Sequence, residues 1–182
     1  MTGGDPLADA SARAASCASL VEQLAQVLRQ SGQTMATAES CTGGMIAAAC
    51  TDLAGSSDWF ERGFVTYSNA AKIDLLGVPA ALIEQHGAVS EAVARVMALG
   101  AVSNSRAQVS VAVTGVAGPA GGSTAKPVGT VWFGWCVQGQ ADTEMLRFDG
   151  DRAQVRSQTV RYALAGLLTR LGETMEDACS LP

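Results

Sequence analysis

A chain of 182 residues, 48% hydrophobic and only 16% charged, can bury a core without disulfide or metal staples and is too apolar to stay disordered. Its formal charge of -5, with 12 Lys and Arg scattered along the length, lacks the clustered cations that a nucleic-acid backbone requires. No stretch approaches the roughly 18 apolar residues that span a bilayer, so neither nucleic acid nor a membrane is expected as a partner.

Residues 1–16 are small and polar, with two acids ahead of the first Arg. They read as a loose arm, not a secretory signal, and the domain proper is expected over 17–175. Leu20, Leu24, Val27 and Leu28 form a helix stripe, with Gly32 where a C-terminal cap belongs. A short strand is expected over 34–38 and a helix over 43–53, so Ser40 to Gly43 forms a strand-to-helix turn. A second strand is read over 64–67. Asn69 is read as the cap of a short helix through Lys72 to Leu76, ended by Gly77. Ser90 caps a helix to about Ser103, and Val109 to Thr114 is a buried-type strand followed by the glycine-rich stretch 115–122. Two further strands are expected over 128–137 and 144–148, paired across 138–142. Asp151 with Gln154 resembles a capping box opening a last helix, with the stripe Val160, Leu164, Leu167, Leu168 and Leu171. Alternating helices and short strands with a late hairpin predict an α/β fold: a single-domain three-layer α/β/α sandwich with a mixed sheet. The strand carrying Trp132 and Trp135 would suit either the core or a self-association surface of a homo-oligomer.

Five cysteines (Cys17, Cys41, Cys50, Cys136, Cys179) form no CxxC pair, which fits a reducing compartment and a cytoplasmic protein. His86 is the single histidine and lies before a helix, where a polar loop residue is the plain reading. With one histidine there is no histidine metal cluster, so neither a metal nor another cofactor is expected.

Ser40 draws attention by position, at a turn whose helix offers unpaired N–H groups to a developing oxyanion. The same position suits a plain helix cap, and neighbouring Cys41 is a rival nucleophile. Tyr67 and Lys72 fall where a strand end and a helix start could face the same rim of the sheet. With a serine they make a histidine-free catalytic set. Lys72 could be a neutral base, which needs its pKa lowered from about 10.4 toward 7 or 8, roughly 4 kcal/mol. Alternatively a charged Lys72 could lower the Tyr67 phenol, since at ~4 Å and an effective dielectric of ~20 a unit charge supplies about 4 kcal/mol. The two are of equal size, and both need Lys72. The stretch Thr114 to Gly122 is neither a P-loop nor a dinucleotide fingerprint, but its glycines would let backbone N–H groups approach a phosphate.

Five blocks, Thr37-Ala38-Glu39-Ser40-Cys41-Thr42-Gly43-Gly44, Tyr67-Ser68-Asn69-Ala70-Ala71-Lys72, His86-Gly87-Ala88-Val89-Ser90, Thr114-Gly115-Val116-Ala117-Gly118-Pro119 and Lys126-Pro127-Val128-Gly129-Thr130-Val131, closely resemble the CinA C-terminal domain family. The resemblance runs from about Leu20 to Leu171, with Val116 in place of the family's isoleucine. It implies hydrolysis of nicotinamide mononucleotide to nicotinic acid mononucleotide and ammonia, without a cofactor, as in the family's NMN deamidases. It implies Ser40, Tyr67 and Lys72 as the catalytic residues. The nucleotide is then expected against Thr42, Gly43, Gly44, Asn69, Thr114, Gly115, Ala117 and Gly118. Two other readings stand beside this one: a non-catalytic nucleotide-binding module of the same fold, and an amidase for another small amide.

Overall fold

The computed structural model describes residues 16–179, with side chains through residue 172. The arm read over 1–16 therefore lies outside the described residues except for Ser16, whose hydroxyl accepts from Ser19 N and caps the first helix. In chain order the elements are α1 (Cys17–Ser31), β1 (Met35–Glu39), α2 (Met45–Thr51), a short 3-10 turn (Ser56–Asp58), β2 (Phe60–Val65), α3 (Asn69–Leu76), α4 (Ala80–His86), α5 (Glu91–Ser103), β3 (Val109–Gly115), β4 (Thr130–Val137), β5 (Gln140–Arg147) and α6 (Arg152–Cys179).

One five-stranded sheet runs in the order β2-β1-β3-β4-β5. β1 pairs parallel with β2 and β3, while β4 and β5 add antiparallel, so the sheet is mixed as expected. Side chains alternate across it. Val109, Val111 and Val113 of β3 join Leu24 and Leu28 of α1, Ile46 of α2 and Leu164 and Leu167 of α6 on one face. Ala36, Ala38 and Ala112 meet Leu76, Ile83, Val93 and Met97 on the other. The second face is lined by small residues, which lets α5 lie close enough for Ser110 Oγ to donate to Ala98 O at 2.7 Å. Trp135 belongs to the core: its ring stacks on Phe133 at 5.5 Å, and its Nε1 donates to Ala163 O at 2.9 Å.

Local signals decide most element ends. Gly32 and Gly77 close α1 and α3 in the left-handed region, and Ser90 Oγ accepts from Val93 N at the start of α5. The capping box at α6 is reciprocal: Gln154 N donates to Asp151 Oδ1 at 2.9 Å, and Asp151 N donates to Gln154 Oε1 at 2.8 Å.

Other ends differ from expectation. Ser68, not Asn69, caps α3, its hydroxyl accepting from Ala71 N. β2 occupies Phe60–Val65, earlier than read, because it must register against Met35–Glu39; Tyr67 lies beyond the strand. β5 starts at Gln140 because the hairpin closes on Gln138 and Gly139, both at positive φ. Helix α4 was not expected at all, and it places His86 at a helix end, where its carbonyl accepts from Lys126 Nζ. Among the described residues no helix is long and apolar enough to cross a membrane.

Candidate functional site

Because β1 lies between β2 and β3, the chain leaves β1 first to one side and then crosses to the other. The crevice beyond the carboxyl ends of β1 and β3 is the topological switch point of such a sheet. Ser40 follows β1 at that crevice. Its backbone still holds sheet register, with N donating to Val113 O at 3.1 Å. The turn then reverses through Gly43 (φ 61°) and Gly44 (φ 97°), conformations that a side chain would strain.

At the strand end consecutive side chains point to opposite faces. Glu39 points toward α2 and is fully buried. Its Oε2 accepts from Thr42 Oγ1 at 2.7 Å and from Gly44 N and Ile46 N at 3.0 Å, and its Oε1 accepts from Ala47 N at 2.8 Å. The N–H groups at the tip of α2, expected to be open to an oxyanion, are thus already occupied. The turn's remaining amides, Cys41 and Thr42, lie beside the Cys41 sulfur.

Ser40 points the other way, toward α3. Lys72 is 1% exposed, and its Nζ donates to Ser40 Oγ at 3.0 Å and to Thr66 O. Burial pulls the Lys72 ammonium below the ordinary lysine value of 10.5. The same burial pushes the Cys41 thiol up to about 11, so Cys41 is a poor nucleophile at neutral pH.

Tyr67 is 65% exposed, and its hydroxyl accepts from Arg152 Nη2 at 2.9 Å. Among the described residues it makes no hydrogen bond to Ser40 or Lys72. Arg152 Nη1 donates to Gly118 O at 3.0 Å, so one guanidinium ties Tyr67, just past the end of β2, to the glycine-rich loop after β3. One turn along α6, Arg156 Nη2 donates to Thr42 O at 2.8 Å. Among the described residues neither arginine forms an ion pair.

The residues expected to touch a nucleotide divide. Thr42 is buried with hydroxyl and carbonyl both engaged, and Gly44 gives its N–H to Glu39. Gly43 is exposed beside Arg156. Thr114 is buried, its hydroxyl donating to Ala88 O at 2.9 Å. Gly115 and Gly118 are glycine for close packing, since a Cβ would meet Thr130 O at 2.8 Å and Val128 Cγ1 at 2.6 Å. Ala117 is buried, and Asn69 is exposed with no hydrogen bond from its side chain among the described residues. Glu39, Arg152 and Arg156 were missed as functional candidates. A lone acid closing an apolar strand was the available signal for Glu39; nothing local marks the arginines, and Arg156 lies 114 positions from Thr42.

Comparison with known proteins matches residues 17–171 to the sequence model of the CinA C-terminal domain. The chain is 54% identical over 149 residues to the nicotinamide-nucleotide amidohydrolase PncC of Escherichia coli strain K12, covering 81% of this chain and 90% of that protein. It is 55% identical over 149 residues to the protein of the same name from Pseudomonas putida, covering 82% and 93%. Among solved structures, the competence damage-inducible protein A of Klebsiella pneumoniae subsp. pneumoniae MGH 78578 superposes with a TM-score of 0.84 at 40% identity, covering 87% of this chain and 98% of that one.

Proposed function

We propose a function from one premise: the chain belongs to the CinA C-terminal domain family. On that footing it is an amidohydrolase that converts nicotinamide mononucleotide and water to nicotinic acid mononucleotide and ammonia, with Ser40 as nucleophile and Lys72 as its base. The relatives named for this activity support the substrate. The chemistry rests on one observation, the 3.0 Å contact between buried Lys72 Nζ and Ser40 Oγ.

A neutral amine has two N–H bonds and one lone pair. The ammonium donates to both Thr66 O and Ser40 Oγ; once neutral, with one N–H kept on Thr66 O, its lone pair accepts the Ser40 proton across the same 3.0 Å contact. Ser40 Oγ then adds to the carboxamide carbon. The Lys72 ammonium returns the proton to the departing nitrogen, the C–N bond breaks, and ammonia leaves an ester on Ser40. Water attacks that ester, gives its proton to Lys72, and Lys72 restores Ser40 as the acid departs.

The substrate's phosphate needs cationic or N–H donors, and Arg152 and Arg156 offer two guanidiniums one turn apart at the rim of the crevice. Tyr67, bonded to Arg152 and not to Lys72, stands on the substrate side of the reaction. Its exposed ring supplies an apolar wall for the pyridine.

Incubation with nicotinamide mononucleotide, with ammonia and the acid product both quantified, tests the reading. Ser40→Ala and Lys72→Ala should each lose turnover by at least about 10³-fold while keeping the fold. Nucleotide binding without ammonia from the wild-type protein would replace the enzyme by a binding module. Turnover of a different amide in a substrate panel would keep the chemistry and change the substrate.

A further inference from the structure

Glu39 is an unusual way to cap a helix. The cap residue of α2 itself is Gly44, which has no side chain to offer, and the acceptor comes instead from the end of β1. Helix caps are commonly supplied by a Ser, Thr, Asp or Asn at the cap position. Here a fully buried carboxylate does it, with four donors and, among the described residues, no cation paired to it. Burying a carboxylate is costly unless its hydrogen bonds are satisfied, so a short helix alone would not call for one.

The arrangement makes sense through its neighbour in sequence. Glu39 binds both ends of the turn that follows it, Thr42 on one side and Gly44, Ile46 and Ala47 on the other, while its own carbonyl accepts from Thr66 N at 2.8 Å. Thr66 is also the residue whose carbonyl holds Lys72 Nζ. Backbone and side chain of Glu39 thus reach both partners of the reactive pair: the side chain sets the turn bearing Ser40, and the main chain sets the segment that orients Lys72. With Glu39 anchored on the α2 face, strand alternation sends Ser40 to the α3 face, where Lys72 waits. We infer that Glu39 is the positioning residue of the Ser40–Lys72 pair, holding the serine in line with the amine without touching substrate. This rests on the Ser40–Lys72 reading above.

Glu39→Gln is the test. An amide keeps one acceptor oxygen but presents N–H groups to donors that now point at a carboxylate. In the folded variant we expect kcat for nicotinamide mononucleotide to fall about 30-fold with KM within about twofold, because a misplaced nucleophile affects the reacting geometry and not the rim contacts. The rate at which a fluorophosphonate probe labels Ser40 should fall in parallel, a readout that a purely structural cap would leave unmoved once the protein is folded. Unchanged kcat and labelling, or a loss confined to KM, overturns the inference. If Glu39→Gln does not fold, Thr42→Val removes a single bond to the carboxylate. It should lower kcat and labelling about three- to tenfold, and unchanged values overturn the inference equally. Wild-type protein that labels at Ser40 yet releases no ammonia discards the substrate and leaves Glu39 to be judged on labelling. Deamidation with no labelling at Ser40 overturns both.

Discussion

At the residue scale the proposed chemistry turns on the protonation of Lys72. Below its folded pKa the amine is an ammonium with no lone pair for the Ser40 proton; above it the base is ready. Burial places that pKa under the ordinary 10.5, so kcat/KM should climb with pH through the lowered value and then level off. The stability sign follows from linkage. Between the folded value and 10.5 the unfolded chain holds a proton that the folded chain has released, so stability rises with pH across that window. Lys72→Met should abolish turnover and flatten that rise in denaturant titrations repeated at several pH values. A rate profile in wild type with no ascending limb would put the ammonium, not the amine, in the mechanism. Ser40 and Lys72 were both legible from residue type and position. Glu39 was visible only as a letter in a motif, because its part in the site depends on three backbone N–H groups that no side-chain pattern encodes.

At the element scale α6 does more than cover the sheet. Its capping box sets where the helix begins, and that start puts Arg152 in the first turn and Arg156 in the second, both directed at the crevice. Arg152→Ala should raise KM for the nucleotide about tenfold or more with a smaller change in kcat, as expected when a contact to a non-reacting phosphate is lost. Lys126→Ala, which frees only the His86 carbonyl, should leave both parameters near wild type. Equal KM losses in steady-state assays of the two variants would move the proposed phosphate contact from α6 to the glycine-rich loop. The start of α6 could be read from Asp151 and Gln154 because a capping box is local. The helix Ala80–His86 escaped because seven residues with Ile83 alone buried carry too little periodicity to announce it.

At the scale of the whole molecule, two apolar layers hold the sheet, one on each face. Leu24 of α1 is fully buried in the layer built around α1 and α6, on the opposite face of the sheet from the helix that carries Lys72. Leu24→Ala should therefore cost about 2–5 kcal/mol in urea unfolding while leaving kcat of the folded fraction close to wild type. A comparable loss in kcat would mean that the site yields to distant packing. The sequence by itself determined the α/β class, most helix ends and the late hairpin that makes the sheet mixed, since each depends on spacing or capping within a few positions; it offered Ser40 and Lys72 as candidates, and the fold brought them together across 32 positions. Tertiary structure alone decided that Tyr67 bonds Arg152 rather than Lys72, that the tip of α2 is closed by Glu39, and that of two arginines from the last helix Arg156 reaches the turn after β1 and Arg152 the loop after β3. Those contacts join segments far apart in the chain, and their partners are chosen by strand order and helix placement, which local pattern does not record.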